Sequence, residues 1–396
     1  MSASYTKSHV LLQGFNWNSW RENNKTHYRY LQTKSKTIKE VGVDGVWFPP
    51  PVKSVSPQGY MPLDLYDLNS QYGSAEDLRR CIETFHNDEI DVYADIVLNH
   101  RCAEFQNENG VYNVFGGRMA WNNSAIVGND SRFNGAGNPK DEPFFEGAPN
   151  LDHSQEFVRE DIVRWLLWLK NEVRFDGFRF DFALGYQGRY VKEYVERTNT
   201  KLVVGEYWDA MKYMEDGVLV YDQDDHRQRI VNWMDTIEGR ASAFDITTKG
   251  ILQEALRNGE YWRLADGRGT PPGLIGWWSE NSVTFLDNHD THSDSQNHWP
   301  FPKHKLIEGY SYLLTHPGVP LVYWDHFNDP ELKGLLIHLI RLRKEHNICS
   351  ASRVNIIEAS NRRYLARIDD QFTICIGERE AWGRELFGAP NVSIYL

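Results

Sequence analysis

Short apolar runs bounded by polar and glycine-rich residues recur along the chain, at residues 9–15, 45–48, 92–98, 177–182, 202–206, 243–247, 283–286 and 319–324. Each is rich in β-branched or aromatic residues and has the length of a strand buried on both faces. Helical spacing appears between them. Its clearest case puts Val158, Ile162, Trp165, Leu166, Leu169 and Val173 on one face, with Ser154 as the predicted N-cap. Eight strands alternating with helices predict an α/β chain folded as a (β/α)8 TIM barrel. Chemistry in such a barrel gathers at the C-terminal strand ends. Four runs, DVYADIVLNH (91–100), GFRFDF (177–182), VGEYWD (204–209) and FLDNHD (285–290), carry acids or a histidine there.

Two stretches break the alternation. Residues 101–152 are rich in Asn, Gly and Asp without sustained periodicity and read as an irregular domain inserted after the third strand. The barrel would then comprise residues 1–100 and 153–350. From 351 to 396 the pattern turns to short strands, VNIIEA, YLARI, FTICIG and VSIYL, which predict a C-terminal antiparallel β-sheet domain.

Composition narrows the possible partners. A net charge of -12 over 396 residues argues against nucleic acid and anionic membranes, but a neutral polymer would not be repelled. No apolar run is long enough to span a bilayer. The N-terminus shows no secretory leader, and the four cysteines lack CxxC spacing, which predicts reduced thiols and an intracellular location. Aromatics reach 13% of the chain, with 14 Trp and 20 Tyr, enough for core packing and for sugar-stacking surfaces. No dinucleotide fingerprint, phosphate loop or zinc spacing is present, so no organic cofactor is expected.

Asp181, Glu206 and Asp290 end three separate strands, and barrel closure would bring them to one pocket. Three converging carboxylates repel one another unless one is protonated or a cation is near. Retaining glycoside hydrolysis uses that asymmetry, with one carboxylate attacking the sugar and one carboxylic acid protonating the leaving oxygen.

QGFNW (13–17), SPQGYMP (56–62), DIVLNH, GFRFDFALGY, VGEYWD, FDITTKGIL (244–252), GWW (276–278), FLDNHDT and LTHPGVP (314–320) stand in this order along the chain. Together they resemble plant-type alpha-amylases of glycoside hydrolase family thirteen, from about His9 to the C-terminus, and look closest to the intracellular or plastid branch. The resemblance implies retaining endo-hydrolysis of α-1,4-glucosidic bonds in starch, glycogen or malto-oligosaccharides. It also implies the roles. Asp181 would be the nucleophile, Glu206 the acid/base, and Asp290 the third carboxylate, which binds sugar hydroxyls; Arg179 would hold Asp181 ionised. His100 and His289 would contact the sugar at the cleaved bond, Tyr60 would lie under it, and Trp208 would stack beyond it. Trp277 and Trp278 would form a second glucan-holding site away from the cleft. An isolated Arg-x-Asp pair, histidine or tryptophan is ordinarily a plain ion pair or a packed side chain. It is the ordered set that points to catalysis.

The resemblance further implies a structural calcium, held by Asn99, Asp141, Asn150 and the Gly185 carbonyl. Lys140 and Asn150 stand where secreted plant relatives carry aspartates, so at most one well-held ion is expected, and the Lys140 ammonium is a candidate to occupy a cation's place. Leu184 replaces a lysine that contacts sugar beyond the cleavage point, and His292, in THSDSQ (291–296), replaces a glycine at the seventh-strand rim. Two other readings share these motifs: a transglycosylase using the same covalent intermediate, and a silent glucan-binding protein.

Overall fold

The computed structural model describes residues 8–22, 26–292, 295 and 298–396. Ser293, Asp294 and Gln296 of the THSDSQ rim lie outside the described residues. Eight parallel strands close a barrel: β1 (Leu11–Gln13), β2 (Gly45–Phe48), β3 (Asp91–Val97), β4 (Gly177–Asp181), β5 (Leu202–Gly205), β6 (Ser242–Phe244), β7 (Ser282–Phe285) and β8 (Val319–Val322). Neighbours follow chain order around the ring, with β8 pairing β1.

Side chains alternate strictly between two apolar environments. Leu11, Trp47, Tyr93, Leu202, Val204, Phe244, Val283, Phe285, Val319 and Leu321 fill the barrel interior. Their neighbours Leu12, Val46, Phe48, Val92, Ala94, Ile96, Phe178, Phe180, Val203 and Ala243 face the outer helices. Both faces are therefore dry, which is why the strands read as continuous hydrophobic runs. The inward parity reaches the polar strand ends. Tyr93 and Asp95 share it on β3, as do Arg179 and Asp181 on β4, and beyond Val204 it falls on Glu206. The register sets Asp95 opposite Arg179 and Val97 opposite Asp181.

Three local predictions need correction. The sixth strand stops at Phe244: Asp245 caps a helix over Ile246–Asn258 by accepting the Thr248 amide hydrogen at 2.8 Å. That cap overrides the strand preference of Ile246 and Thr247. Ser154 is not the N-cap of its helix, which spans Glu156–Trp168 after Gln155 and continues in a π-turn to Val173. The Ser154 hydroxyl instead donates to Asp152 Oδ1 at 2.5 Å. The C-terminal sheet has five antiparallel strands rather than four: β9 (Val354–Ala359), β10 (Arg363–Ile368), β11 (Phe372–Gly377), β12 (Glu385–Ala389) and β13 (Val392–Tyr395). β12 lies at the sheet edge and carries a register shift, so its half-exposed sequence lacks clean alternation.

Between β3 and the Glu156 helix the chain makes one small two-stranded ladder, short 3-10 turns and two isolated bridges, His100 to Asn150 and Ile126 to Leu151. Those bridges return residues 101–152 to the rim of the barrel. Among the described residues, no helix is long and apolar enough to cross a membrane. The four cysteines are free thiols, with Cys81 and Cys375 buried.

Candidate active site

A cleft of about 690 Å³ opens at the C-terminal rim, lined by Tyr60, His100, Asp181, Glu206, Trp208, His289 and Asp290 together with Trp17, Phe145 and Trp299. Seven of the residues singled out by sequence thus share one wall. Arg179 lies beneath them, 2% exposed, and joins three acids. Its Nη1 donates to Asp95 Oδ1 at 2.8 Å and to Asp181 Oδ1 at 2.6 Å, and its Nη2 is 2.5 Å from Glu206 Oε1. Trp47 and Tyr60 flank the guanidinium, with ring centroids 5.0 and 5.9 Å from its central carbon. One buried cation therefore holds two carboxylates close together by its two terminal nitrogens.

Burial raises the pKa of Glu206, reinforced by the Asp181 charge and opposed by Arg179. Asp290 is raised well above the usual carboxylate range, first by burial and then by the charge of Glu206, with Asp181 and Asp95 adding smaller repulsion. The site thus shifts both Glu206 and Asp290 toward the acid form relative to exposed carboxyls, as expected for groups crowded into a dry pocket. Glu206 also supports the turn that ends β4. Phe182 adopts a left-handed conformation (φ 46°, ψ 46°), and its amide donates to Glu206 Oε2 at 3.1 Å while the Ala183 amide donates to the Glu206 carbonyl at 3.0 Å. A non-glycine residue in that region costs about 1 kcal/mol, so the bend is bound directly to the second acid.

Asp95 was not singled out from the sequence. It is buried, its carboxyl accepts from the Tyr60 hydroxyl at 2.8 Å and the Trp47 indole at 3.1 Å, and burial pushes its pKa up to about 7. The signal was available in its inward parity and its register opposite Arg179. Tyr60 is thereby fixed as a flat wall, stacked on His289 at 5.0 Å and 9° and on Trp17 at 6.1 Å and 6°. Gln13 Nε2 lies 3.0 Å from His289 Nδ1; donation there leaves His289 Nε2 to face Asp290 Oδ2 at 3.3 Å. Burial lowers the pKa of both His289 and His100. His100 Nε2 lies 2.8 Å from the Tyr60 carbonyl, and Phe145 covers its ring at 3.8 Å. Asp287 lies deeper, satisfied by the Phe301 amide, the Thr291 hydroxyl and Lys249, 3.8 Å away.

Trp277 and Trp278 do not line the cleft. Arg227 lies over the Trp277 ring at 3.6 Å, and Trp278 packs against the outer hydrophobic cluster, so each half-buried ring has part of its surface occupied.

The residues assigned to calcium meet around a different cation. The Lys140 ammonium donates to Gly185 O at 2.7 Å, Pro143 O at 3.0 Å, Asn99 Oδ1 at 3.1 Å and Asn150 Oδ1 at 3.2 Å. Burial lowers its pKa to about 8, which leaves it mainly charged at pH 7. Asp141 is exposed and is not part of this cage. The four oxygens are all neutral carbonyls, whereas calcium takes six to eight oxygens and is held tightly when several are carboxylates. The donor set does not fit that ion, and the expectation of a ligand set of Asn99, Asp141, Asn150 and Gly185 is corrected accordingly.

A closed parallel barrel with clustered acids over one arginine at its C-terminal rim defines an enzyme of the glycoside hydrolase type. Comparison with known proteins narrows the class. Residues 15–124 match the family described as alpha amylase, catalytic domain. The chain is 48% identical over 371 residues to alpha-amylase 3, chloroplastic, of Arabidopsis thaliana, covering 93% of this chain and 41% of that protein. It is 44% identical over 372 residues to probable alpha-amylase 2 of the same plant, covering 93% of this chain and 88% of that protein. An alpha-amylase structure from Malbranchea cinnamomea superposes with a TM-score of 0.68 at 16% identity, over 95% of this chain and 86% of that one, which shows the shared fold. The chain belongs to the alpha-amylase family.

Proposed function

We propose that this protein hydrolyses internal α-1,4-glucosidic bonds of starch, glycogen or malto-oligosaccharides with retention of configuration. The observation that carries the reading is the single buried Arg179 holding Asp181 and Glu206 side by side, with the Glu206 carboxyl biased toward its acid form.

Glu206 would protonate the glycosidic oxygen as the Asp181 carboxylate attacks the anomeric carbon, so the carbon–oxygen bond breaks and a covalent glycosyl-enzyme forms. The Glu206 carboxylate would then take a proton from water, whose oxygen attacks the same carbon and releases Asp181. Asp290, His289 and His100 would bind hydroxyls of the sugar at the cleaved bond, Tyr60 would support its face, and Trp208 would stack beyond it. Contacts that strengthen as the ring flattens accelerate the step more than uniform binding does. Leu184 offers the sugar on the leaving side no charged contact.

Endo-cleavage predicts that soluble starch loses its iodine colour well before reducing ends approach completion. Parallel loss of colour and release of a single small product would instead indicate exo-action. A secondary glucan site at Trp277 and Trp278 is part of the proposal: replacing both with Ala is expected to reduce retention on starch granules several-fold with kcat on a short oligosaccharide unchanged. Equal retention by a folded double variant would remove that site. The four free thiols and the chloroplastic relative support an intracellular location, in plastid or cytosol. Recovery of the native protein from a secreted fraction would contradict it.

A further inference from the structure

The Lys140 cage joins three segments that are distant in sequence. Asn99 sits at the end of β3 beside His100, Asn150 closes the inserted stretch, and Gly185 follows the turn after Asp181. Side chains and backbone lock these segments around the ammonium. Asn150 Oδ1 also accepts from Asn99 Nδ2 at 3.1 Å and from the Phe145 amide at 2.9 Å. Its Nδ2 donates to Asp130 Oδ2 at 2.9 Å and the Phe145 carbonyl at 2.8 Å. An aspartate at 150 could not make those donations and would face Asp130. Gly185 is equally constrained, because a Cβ there would lie 2.3 Å from Asn99 Oδ1. The cage is complementary to a lysine at every position, and Asn99 and Asn150 are at most 1% exposed.

The distances agree with this assignment. The donor–acceptor separations of 2.7 to 3.2 Å are those of ammonium hydrogen bonds. Among the described residues, no group of three His, Cys, Asp or Glu offers a metal site elsewhere.

We propose that the Lys140 ammonium is the built-in structural cation of this protein, tethering the inserted stretch to the ends of β3 and β4 so that the fold needs no calcium at this position. It replaces a diffusible ion with one that cannot dissociate. Through Asn150 it also anchors Phe145, whose ring covers His100 in the cleft, so the order of that wall depends on the same cation.

The test compares the 396-residue protein and its Lys140→Met variant in EDTA and in 1 mM calcium chloride, by thermal unfolding and by metal analysis after dialysis. The wild type is expected to retain no stoichiometric calcium and to keep its Tm within about 1 °C across both buffers, since an ion that does not bind the native state cannot stabilise it. Lys140→Met leaves the cage oxygens without their donor, and its Tm in EDTA is expected to fall by about 5 °C or more. A wild type that holds one calcium per chain and loses stability in EDTA would overturn the proposal. So would a Lys140→Met protein as stable as the wild type. Should that variant not fold, the wild-type comparison decides alone.

Discussion

Asp181→Asn is expected to lower kcat on malto-oligosaccharides by about 10⁴-fold while changing their Kd only severalfold. The amide is nearly isosteric and remains next to Arg179, which keeps its ion pair with Asp95. What is lost is the electron pair that attacks the anomeric carbon. Steady-state kinetics with calorimetric binding checks this. A variant retaining a tenth of wild-type kcat would show that Asp181 is not the nucleophile.

Glu206→Gln is expected to cost about 10³-fold in kcat on starch, in keeping with loss of a positioned proton donor that also serves as base. Its effect should depend on the leaving group. A nitrophenyl maltoside departs without protonation, so the first step should be largely spared and covalent intermediate should accumulate, visible as a burst of nitrophenol. The pH profile supplies a second readout. Burial raises the pKa of Glu206, so the competent acid form persists above the ordinary glutamate range and wild-type activity falls as pH rises through the elevated value. That alkaline limb should vanish in the variant. A nitrophenyl substrate that gives no burst, with the limb intact, would assign the proton to another group.

The barrel was legible because burial on both faces leaves a simple mark, eight short apolar runs with helices between them. The acids were legible because they stand at the ends of those runs, Asp181 and Glu206 with inward parity and Asp290 in the turn that follows its strand. Asp95 was missed because it sits inside DIVLNH, where one acid among apolar neighbours reads as part of the strand. Its importance depends on the β3–β4 register, which places Arg179 opposite. Ile246 and Thr247 look like strand residues, and only the Asp245 cap, made across a turn, assigns them to a helix. Phe145 lies in a segment without periodicity. It reaches His100 because Asn150 pins the chain there, a contact between residues that no local pattern connects. Lys140 was visible as a departure from the acidic residue of the relatives, with an ammonium where a cation would sit, but the oxygens it joins across three segments were not. Charge at one position reveals a substitution, and geometry reveals what the new charge holds.

The most direct test of retaining glucan hydrolysis is proton NMR of the purified protein acting on a linear malto-oligosaccharide, following new anomers and product lengths before mutarotation mixes the signals. The account predicts that the α-anomer appears first and that every product is shorter than the substrate. Early β-anomer would contradict a double displacement at Asp181, and products longer than the substrate would show transfer to sugar hydroxyls in place of hydrolysis.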